Sequence, residues 1–265
     1  MNFRSISRDL WLLTNFRNGW EMVRYLRNPA PINQAILFNG KTIVHPKEKM
    51  GLVESLLELW YEQAYFPKGF YSPEPGDVIV DLGANIGLFT LQVARINPIC
   101  KIAAFEPLPE NFSCLSRNID NFGLSMASIY EYAIGNNYRQ DLIANNCVRS
   151  LDNQLLKQSN QNIKDMKISQ SLPVKVIPLD AIFDMINVQQ ISFLKVDIEG
   201  GEYEIFQSIS RKILKCIKLL AIEYHDHLQP GTFTLIKEKL KSTHDVKFIS
   251  SDISGCGLLF ATRKF

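Results

Sequence analysis

From Val78 to Ile222 the chain alternates short, nearly unbroken apolar runs with stretches of helical spacing, and no other feature narrows the fold as far. The runs are Val78–Leu82, Lys101–Phe105, residues 129–134, Ile191–Val196 and residues 218–222. Between them, apolar positions recur at helical intervals over Leu88–Ile96, residues 109–121 and residues 202–214. A strand that is apolar at successive positions needs cover on both faces, which a parallel sheet obtains from the helices of its crossovers. The ending differs, with a helical pattern over residues 232–241 and then two candidate strands, 246–249 and 257–262, joined by residues 251–255. Strands so close in sequence pair antiparallel. These patterns predict an α/β fold with a mostly parallel sheet and an antiparallel C-terminal hairpin.

The first 75 residues have another texture. Leu10, Leu13, Trp20, Val23 and Leu26 fall at or beside helical intervals over residues 6–27, with Arg8, Arg17, Arg24 and Arg27 in the spaces. This predicts an amphipathic helix packed on the domain or on a second subunit of a homo-oligomer; peripheral attachment to an anionic membrane or a nascent lipid-linked glycan is the alternative. Residues 35–38 and 42–44 flank Asn39-Gly40, a strong hairpin signal. A second helix fits residues 52–65, and Pro67, Gly69, Pro73, Pro75 and Gly76 make a loop that ends the region. The expected division is therefore an extension over residues 1–75, a cap or an oligomerisation element, followed by one domain over residues 76–265. Residues 152–171, rich in Asn, Gln, Ser and Lys, hold too little apolar surface to offset their ordering entropy, which predicts a mobile loop, either a lid or an inconsequential insertion.

Composition excludes several classes. At 265 residues and 46% apolar, the chain buries a substantial core. A net charge of +2 is far from the footprint of a nucleic-acid binder. Cys100, Cys114, Cys147, Cys216 and Cys256 are odd in number and never spaced as CxxC, so neither a disulfide framework nor a zinc knuckle is indicated, and a reducing, cytoplasmic setting is expected. No run approaches twenty apolar residues, so no transmembrane segment is expected.

Three motifs carry chemistry. The first is residues 80–87, Val-Asp-Leu-Gly-Ala-Asn-Ile-Gly, a strand entering a glycine turn and then a helix, whose first amides suit a carboxylate or phosphate. Asn85 stands where a dinucleotide fingerprint has its middle glycine, so an adenosyl ligand without a pyrophosphate fits better than a nicotinamide cofactor. The second is Glu106, about twenty residues on, where a strand-end acid reaches both ribose hydroxyls; Pro107 keeps it out of the helical region. The third runs from Phe193 to Glu202, an apolar strand ending in Lys195, Asp197 and Glu199, with Glu202 a first-turn helix residue. A carboxylate within so apolar a strand as Asp197 needs a partner or a task.

Residues 80–87, Phe105-Glu106-Pro107, Ala133-Ile134-Gly135, Pro178-Leu179-Asp180 and Lys195-Val196-Asp197-Ile198-Glu199-Gly200 together resemble the FkbM family of S-adenosylmethionine-dependent methyltransferases, over roughly residues 62–223. The resemblance implies a class I methyltransferase fold, Rossmann-like, with a seven-stranded sheet ending in an antiparallel hairpin. It also implies S-adenosyl-L-methionine as cofactor and O-methylation of hydroxyls on sugars, glycolipids or polyketide-type products. Carried over by position, Asp81, Gly83, Ala84, Asn85 and Gly87 would hold the methionine end. Glu106, with Pro107, would hold the ribose, Tyr132 and Ala133 would lie beside the adenine, and Asp197 would face the methionine end or the acceptor. Glu223 matches an acidic strand end.

Methyl transfer needs alignment more than acid catalysis, but a hydroxyl acceptor must lose its proton. His225 is the first candidate base, followed by Asp197 and Glu199 if burial raises their pKa. A divalent cation on Asp197, Glu199 and Glu223 would serve instead, but these form only a loose oxygen set and no metal is expected. The alternative function is a catalytically degenerate member that binds cofactor or a partner without turnover.

Overall fold

A computed structural model describes residues 3–30, 32, 36–46, 50–145, 154–156, 170–250 and 254–264. The main sheet consists of β3 (Val78–Leu82), β4 (Lys101–Phe105), β5 (Ala127–Tyr130), β10 (Ile191–Val196), β11 (Ile217–His225), β12 (His244–Ser250) and β13 (Cys256–Arg263), in the spatial order β12-β13-β11-β10-β3-β4-β5. The central strands pair in parallel, and β13 is antiparallel to both β11 and β12. This is the class I methyltransferase sheet. Helices α4 (Leu88–Ile96), α5 (Pro109–Phe122), α6 (Ala181–Met185), α7 (Glu202–Ser208), α8 (Arg211–Lys215) and α9 (Thr232–Leu240) lie along the chain between its strands.

The apolar runs behave as strands buried on both faces. Val80, Leu82, Leu194 and Val196 join one core cluster, while their neighbours Ile79 and Phe193 join another with Tyr65, Phe66 and Phe89. The ring of Phe193 stacks on Tyr71 at 5.0 Å and on Phe89 at 6.0 Å. Each such fully buried side chain contributes about 1.5–3 kcal/mol.

Five sequence expectations are revised. The helix over residues 6–27 is two, α1 (Phe3–Asn15) and α2 (Gly19–Tyr25), because Phe16 leaves the helix to bridge Phe38. The helix over 52–65 is a short α3 (Leu52–Leu56) that widens into a π-helical turn, Leu57–Tyr61, and stops there. Residues 202–214 break at Ser210, whose side chain accepts from Ile213 N and caps α8. The run 129–134 divides after Tyr130. Its second part, β6 (Ala133–Gly135), leaves the main sheet to join β7 (Arg139–Asn145), β8 (Gln154–Leu156) and β9 (Gln170–Pro178) in a separate sheet ordered β6-β9-β7-β8. The expected loop over 152–171 thus contributes β8 and the start of β9, and residues 152–153 and 157–169 lie outside the described residues.

The N-terminal elements include the expected hairpin, β1 (Ile36–Phe38) and β2 (Lys41–Ile43), with Asn39 and Gly40 both at positive φ. Leu12, Phe16, Met22, Ile36, Phe38 and Trp60 share a core with Ile86, Leu88 and Leu91. Asn118 on α5 accepts from Val44 N at 2.6 Å and donates to Ile86 O at 2.8 Å. Trp60 Nε1 donates to Leu88 O at 2.9 Å, and Arg95 lies over the rings of Phe38 and Trp60. The other side of α1 and α2 exposes Ile6, Leu10, Leu13 and Trp20. Among the described residues no helix is long and apolar enough to cross a membrane.

Candidate active site

Parallel sheets offer a ligand crevice at the carboxyl ends of their strands. Here the residues that follow β3, β4 and β10, namely Gly83, Glu106 and Asp197, line one cavity. Gly83 is required by backbone approach: its φ is +74° and a Cβ there would lie 1.8 Å from Asp197 O. Asn85, at φ 52°, adopts the left-handed conformation that asparagine tolerates, and its N donates to Glu106 Oε2 at 2.8 Å. The turn after β3 is thereby fixed to both neighbouring strand ends.

Two residues assigned to cofactor binding lie outside the cavity wall. Asp81 is fully buried beneath it, with Lys195 Nζ 3.2 Å from Oδ1 and Thr90 Oγ1 donating to Oδ2 at 2.9 Å. It anchors Lys195 and is not placed to touch a ligand. Gly87 packs on α5, where a Cβ would meet Leu115 Cδ1 at 2.6 Å. Ala84, Asn85, Glu106, Pro107, Tyr132 and Ala133 do line the cavity, Tyr132 and Ala133 because the chain turns there between the two sheets.

Glu106 is buried and accepts from Leu108 N at 3.0 Å and from Asn111 Nδ2 at 3.4 Å as well as from Asn85. Burial pushes its pKa up to about 7 against the pull of these donors. Beside it, Asn85 Oδ1 and Asn111 Oδ1 are buried without a hydrogen-bond partner. Buried acceptors in that state are costly unless a ligand donates to them. A ligand carrying vicinal hydroxyls and an amine, such as an adenosyl group, fits this wall.

At the other end of the cavity are Glu58, Tyr65, Lys195, Asp197, Glu199 and Glu223. Lys195 Nζ is 3.4 Å from Asp197 and donates to Gly83 O at 3.1 Å; Asp81 and Asp197 hold its pKa above the usual lysine range despite burial. The Tyr65 hydroxyl lies 3.2 Å from Asp197 Oδ2 and 3.0 Å from Glu223 Oε2, and burial beside these carboxylates keeps the phenol protonated. Burial, then Asp197, raises Glu199 to about 9 and Glu223 to about 8. Glu199 also sits at φ 52°, a backbone strain held by Glu202, which accepts from Ile198 N at 3.1 Å and Gly200 N at 2.9 Å. Glu202 stands in the first turn of α7, as expected, and is a buried brace for this loop.

His225 is corrected as the candidate base. It is buried outside the cavity wall, with Nδ1 3.2 Å from Glu202 Oε1 and Nε2 3.4 Å from Glu199 Oε2. Burial alone would depress its pKa, but Glu202, Glu199 and Asp197 outweigh that and push it up to about 10. At neutral pH it is an imidazolium and has no lone pair for a proton. Asp197, Glu223 and His225 bring ligand atoms within 4.8 Å of one another. With the imidazole protonated no cation is assigned to that trio. Asp197 and Glu199 do line the cavity.

Sequence reasoning passed over Glu58, Tyr65 and Asn111. Glu58 and Asn111 sit on helical patterns where a polar residue reads as a solvated face, and Tyr65 looked like the apolar end of a helix.

The methyltransferase FkbM domain matches residues 81–249. The chain is 27% identical over 202 residues to methyltransferase 1 of Beauveria bassiana, covering 71% of this chain and 77% of that protein. It is 26% identical to the 31-O-demethyl-FK506 methyltransferase FkbM of Streptomyces tacrolimicus, over 71% of this chain and 80% of that one. It is 23% identical to the hexuronic acid methyltransferase AglP of Haloferax volcanii, over 76% and 80% of the two chains.

Proposed function

The chain belongs to the methyltransferase FkbM family, and from that premise we propose that it moves a methyl group from S-adenosylmethionine to a hydroxyl oxygen of a sugar, glycan or polyketide-type acceptor. The observation that carries this is the continuity of one cavity from the Glu106 wall to the carboxylate cluster around Asp197. Glu106, Asn85 and Asn111 would hold the ribose and its neighbours, and Tyr132 with Ala133 would bear on the adenine. When bound, the cofactor supplies an electrophilic methyl carbon on a cationic sulfur.

This chain's residues provide charge and position. The Asp197 carboxylate favours a cationic ligand over its neutral product, while Glu199 and Glu223, raised to about 9 and 8, are protonated near neutral pH and offer hydrogen bonds instead of charge. Lys195 and Tyr65 hold Asp197, so that charge is fixed in place before a ligand arrives, as electrostatic preorganisation requires. The relatives named for O-demethylated and hexuronic acid acceptors support an oxygen acceptor.

The test has two arms. Calorimetry with S-adenosylhomocysteine should show binding to the unaltered chain and at least tenfold weaker binding to Glu106→Ala. Mass spectrometry of glycans and lipids from cells with and without the protein should show an acceptor heavier by one methyl group. No binding refutes the reading; binding without any methylated product favours the degenerate, non-catalytic alternative.

A further inference from the structure

The cavity that holds the carboxylate cluster is also lined by residues that precede the matched family segment, among them Met50, Leu52, Ser55, Glu58, Leu59 and Tyr65. Its wall has two characters. Met50, Leu52 and Leu59 are half-buried and apolar, and they pack against the core that holds Ile86 and Leu88 while lining the same cavity. Glu58 is the acid among them. It lies in the π-helical turn Leu57–Tyr61, a distortion that recurs at functional sites. Trp60 and Gln92 tie that turn to the main domain, Trp60 Nε1 donating to Leu88 O and Gln92 Nε2 to Leu59 O.

Five carboxylates line the cavity, and four of them are engaged. Glu106 accepts three donors, Asp197 meets Lys195 and Tyr65, Glu223 meets Tyr65, and Glu199 meets His225. Among the described residues the Glu58 carboxylate has neither a hydrogen-bond nor an ion-pair partner, and it lines the cavity from an exposed position. A base needs a free lone pair within reach of the proton it takes, and of these five Glu58 alone has both carboxylate oxygens without a partner among the described residues.

Resting on the methyl-transfer reading above, we infer that residues 50–65 build the acceptor site, in which Glu58 takes the proton of the hydroxyl being methylated and Met50, Leu52 and Leu59 bear on the apolar body of an uncharged acceptor. The O–H bond breaks with its proton passing to the Glu58 carboxylate. The hydroxyl oxygen forms the new O–C bond, and the electron pair of the C–S bond returns to sulfur. One positive sulfonium and one carboxylate become a neutral thioether and a neutral carboxylic acid, so charge balances. Partial desolvation where it lines the cavity, then Asp197 and Glu62, raises Glu58 to about 7 against the pull of Lys195, which places it where a base works near neutral pH. The ionisable groups acting at this end are Glu58, Glu62, Asp197, Glu199 and Glu223 against Lys195 and His225, with Tyr65 neutral. With Glu199 and Glu223 protonated near neutral pH, the charge nearest the reacting hydroxyl is that of ionised Glu58, which disfavours an acceptor with a carboxylate or phosphate next to that hydroxyl.

The probes are n-octyl β-D-glucopyranoside and its uronic acid counterpart, added to the full chain saturated with S-adenosylhomocysteine and followed by saturation-transfer NMR. The expected result is binding of the neutral glycoside, at least tenfold weaker binding of the anionic one, and a pH break near 7 in the difference. In Glu58→Gln the break should vanish and the preference should narrow at least threefold, while calorimetric affinity for S-adenosylhomocysteine stays within twofold. Equal binding of the two glycosides, binding of neither, or a Glu58→Gln change confined to S-adenosylhomocysteine affinity overturns the inference. Loss of S-adenosylhomocysteine binding in the unaltered chain instead refutes the reading beneath it, so the two failures are distinguishable.

Discussion

Replacing Lys195 with methionine tests whether the floor of the site is held electrostatically. Methionine keeps most of the volume and removes only the ammonium. Lys195 is 3% exposed, its Nζ lies 3.2 Å from Asp81 and 3.4 Å from Asp197, and it donates to the carbonyls of Leu82 and Gly83. At an effective dielectric constant of about 20, a pair at that separation interacts by about 5 kcal/mol, much of it offset by the cost of burying both charges. Removing one partner forfeits the attraction and leaves the other charge stranded, which costs about 3–5 kcal/mol. Urea denaturation of the ligand-free chain should therefore show Lys195→Met less stable by that amount. Adding Asp81→Asn should recover part of it, because the stranded group is then uncharged. A loss below about 1 kcal/mol, or a double variant no more stable than the single one, would refute the reasoning. The same series separates the two roles considered for Asp81. As an anchor for Lys195, its asparagine variant loses stability with little change in S-adenosylhomocysteine affinity; as a ligand contact it would show the reverse.

Stability should fall from about pH 5 to pH 10. His225 is raised from 6.5 to about 10, so its contribution is complete below pH 6.5 and lost as pH rises through 10; Glu199 and Glu223, raised from 4.5 to about 9 and 8, also favour the protonated folded state and act in the same direction. Urea midpoints across that range check this, and Glu223→Gln should flatten the slope. Affinity for S-adenosylhomocysteine should decline as pH drops through about 7, since Glu106 accepts fully only when ionised, and calorimetry on Glu106→Gln should show no such break. Gly83→Ala should cost at least about 2 kcal/mol by urea denaturation, because a Cβ would meet Asp197 O at 1.8 Å at a φ of +74°. His225→Gln should leave no transition near pH 6.5 to lose in the rate profile, and its cost should appear as a lower urea midpoint.

What the sequence made legible depended on whether a residue's surroundings are local. Val78–Leu82, Lys101–Phe105, Ile191–Val196 and Leu88–Ile96 have the expected limits because their burial on both faces writes an apolar run or a helical period directly into the chain. The second sheet was not foreseen. β9 begins in a polar tract and carries Pro173 and Pro178, residues that ordinarily argue against a paired strand, and β7 runs Arg-Gln-Asp-Leu-Ile-Ala-Asn, which neither alternates nor makes an apolar run of any length. In the site, Glu106 was found because its distance from the glycine turn is set by one βαβ unit. His225 was misread because the groups that protonate it, Glu199 and Glu202, reach it from the loop after β10 and from α7. Glu58 was missed because nothing in residues 52–61 distinguishes a side chain facing a cavity from one facing bulk water.

The shared core between the N-terminal elements and α4 also bears on how such an enzyme can change its specificity. Leu88 packs with Trp60 and Phe38 on one side and borders the cavity on the other. A recombinant that exchanged residues 1–75 between relatives would therefore alter acceptor contacts and the packing of the first helix after the glycine turn in one step. New acceptors are then reached more safely by single replacements at Met50, Leu52 or Leu59 than by transplanting the segment, and drift in this region is slowed by folding as well as by substrate.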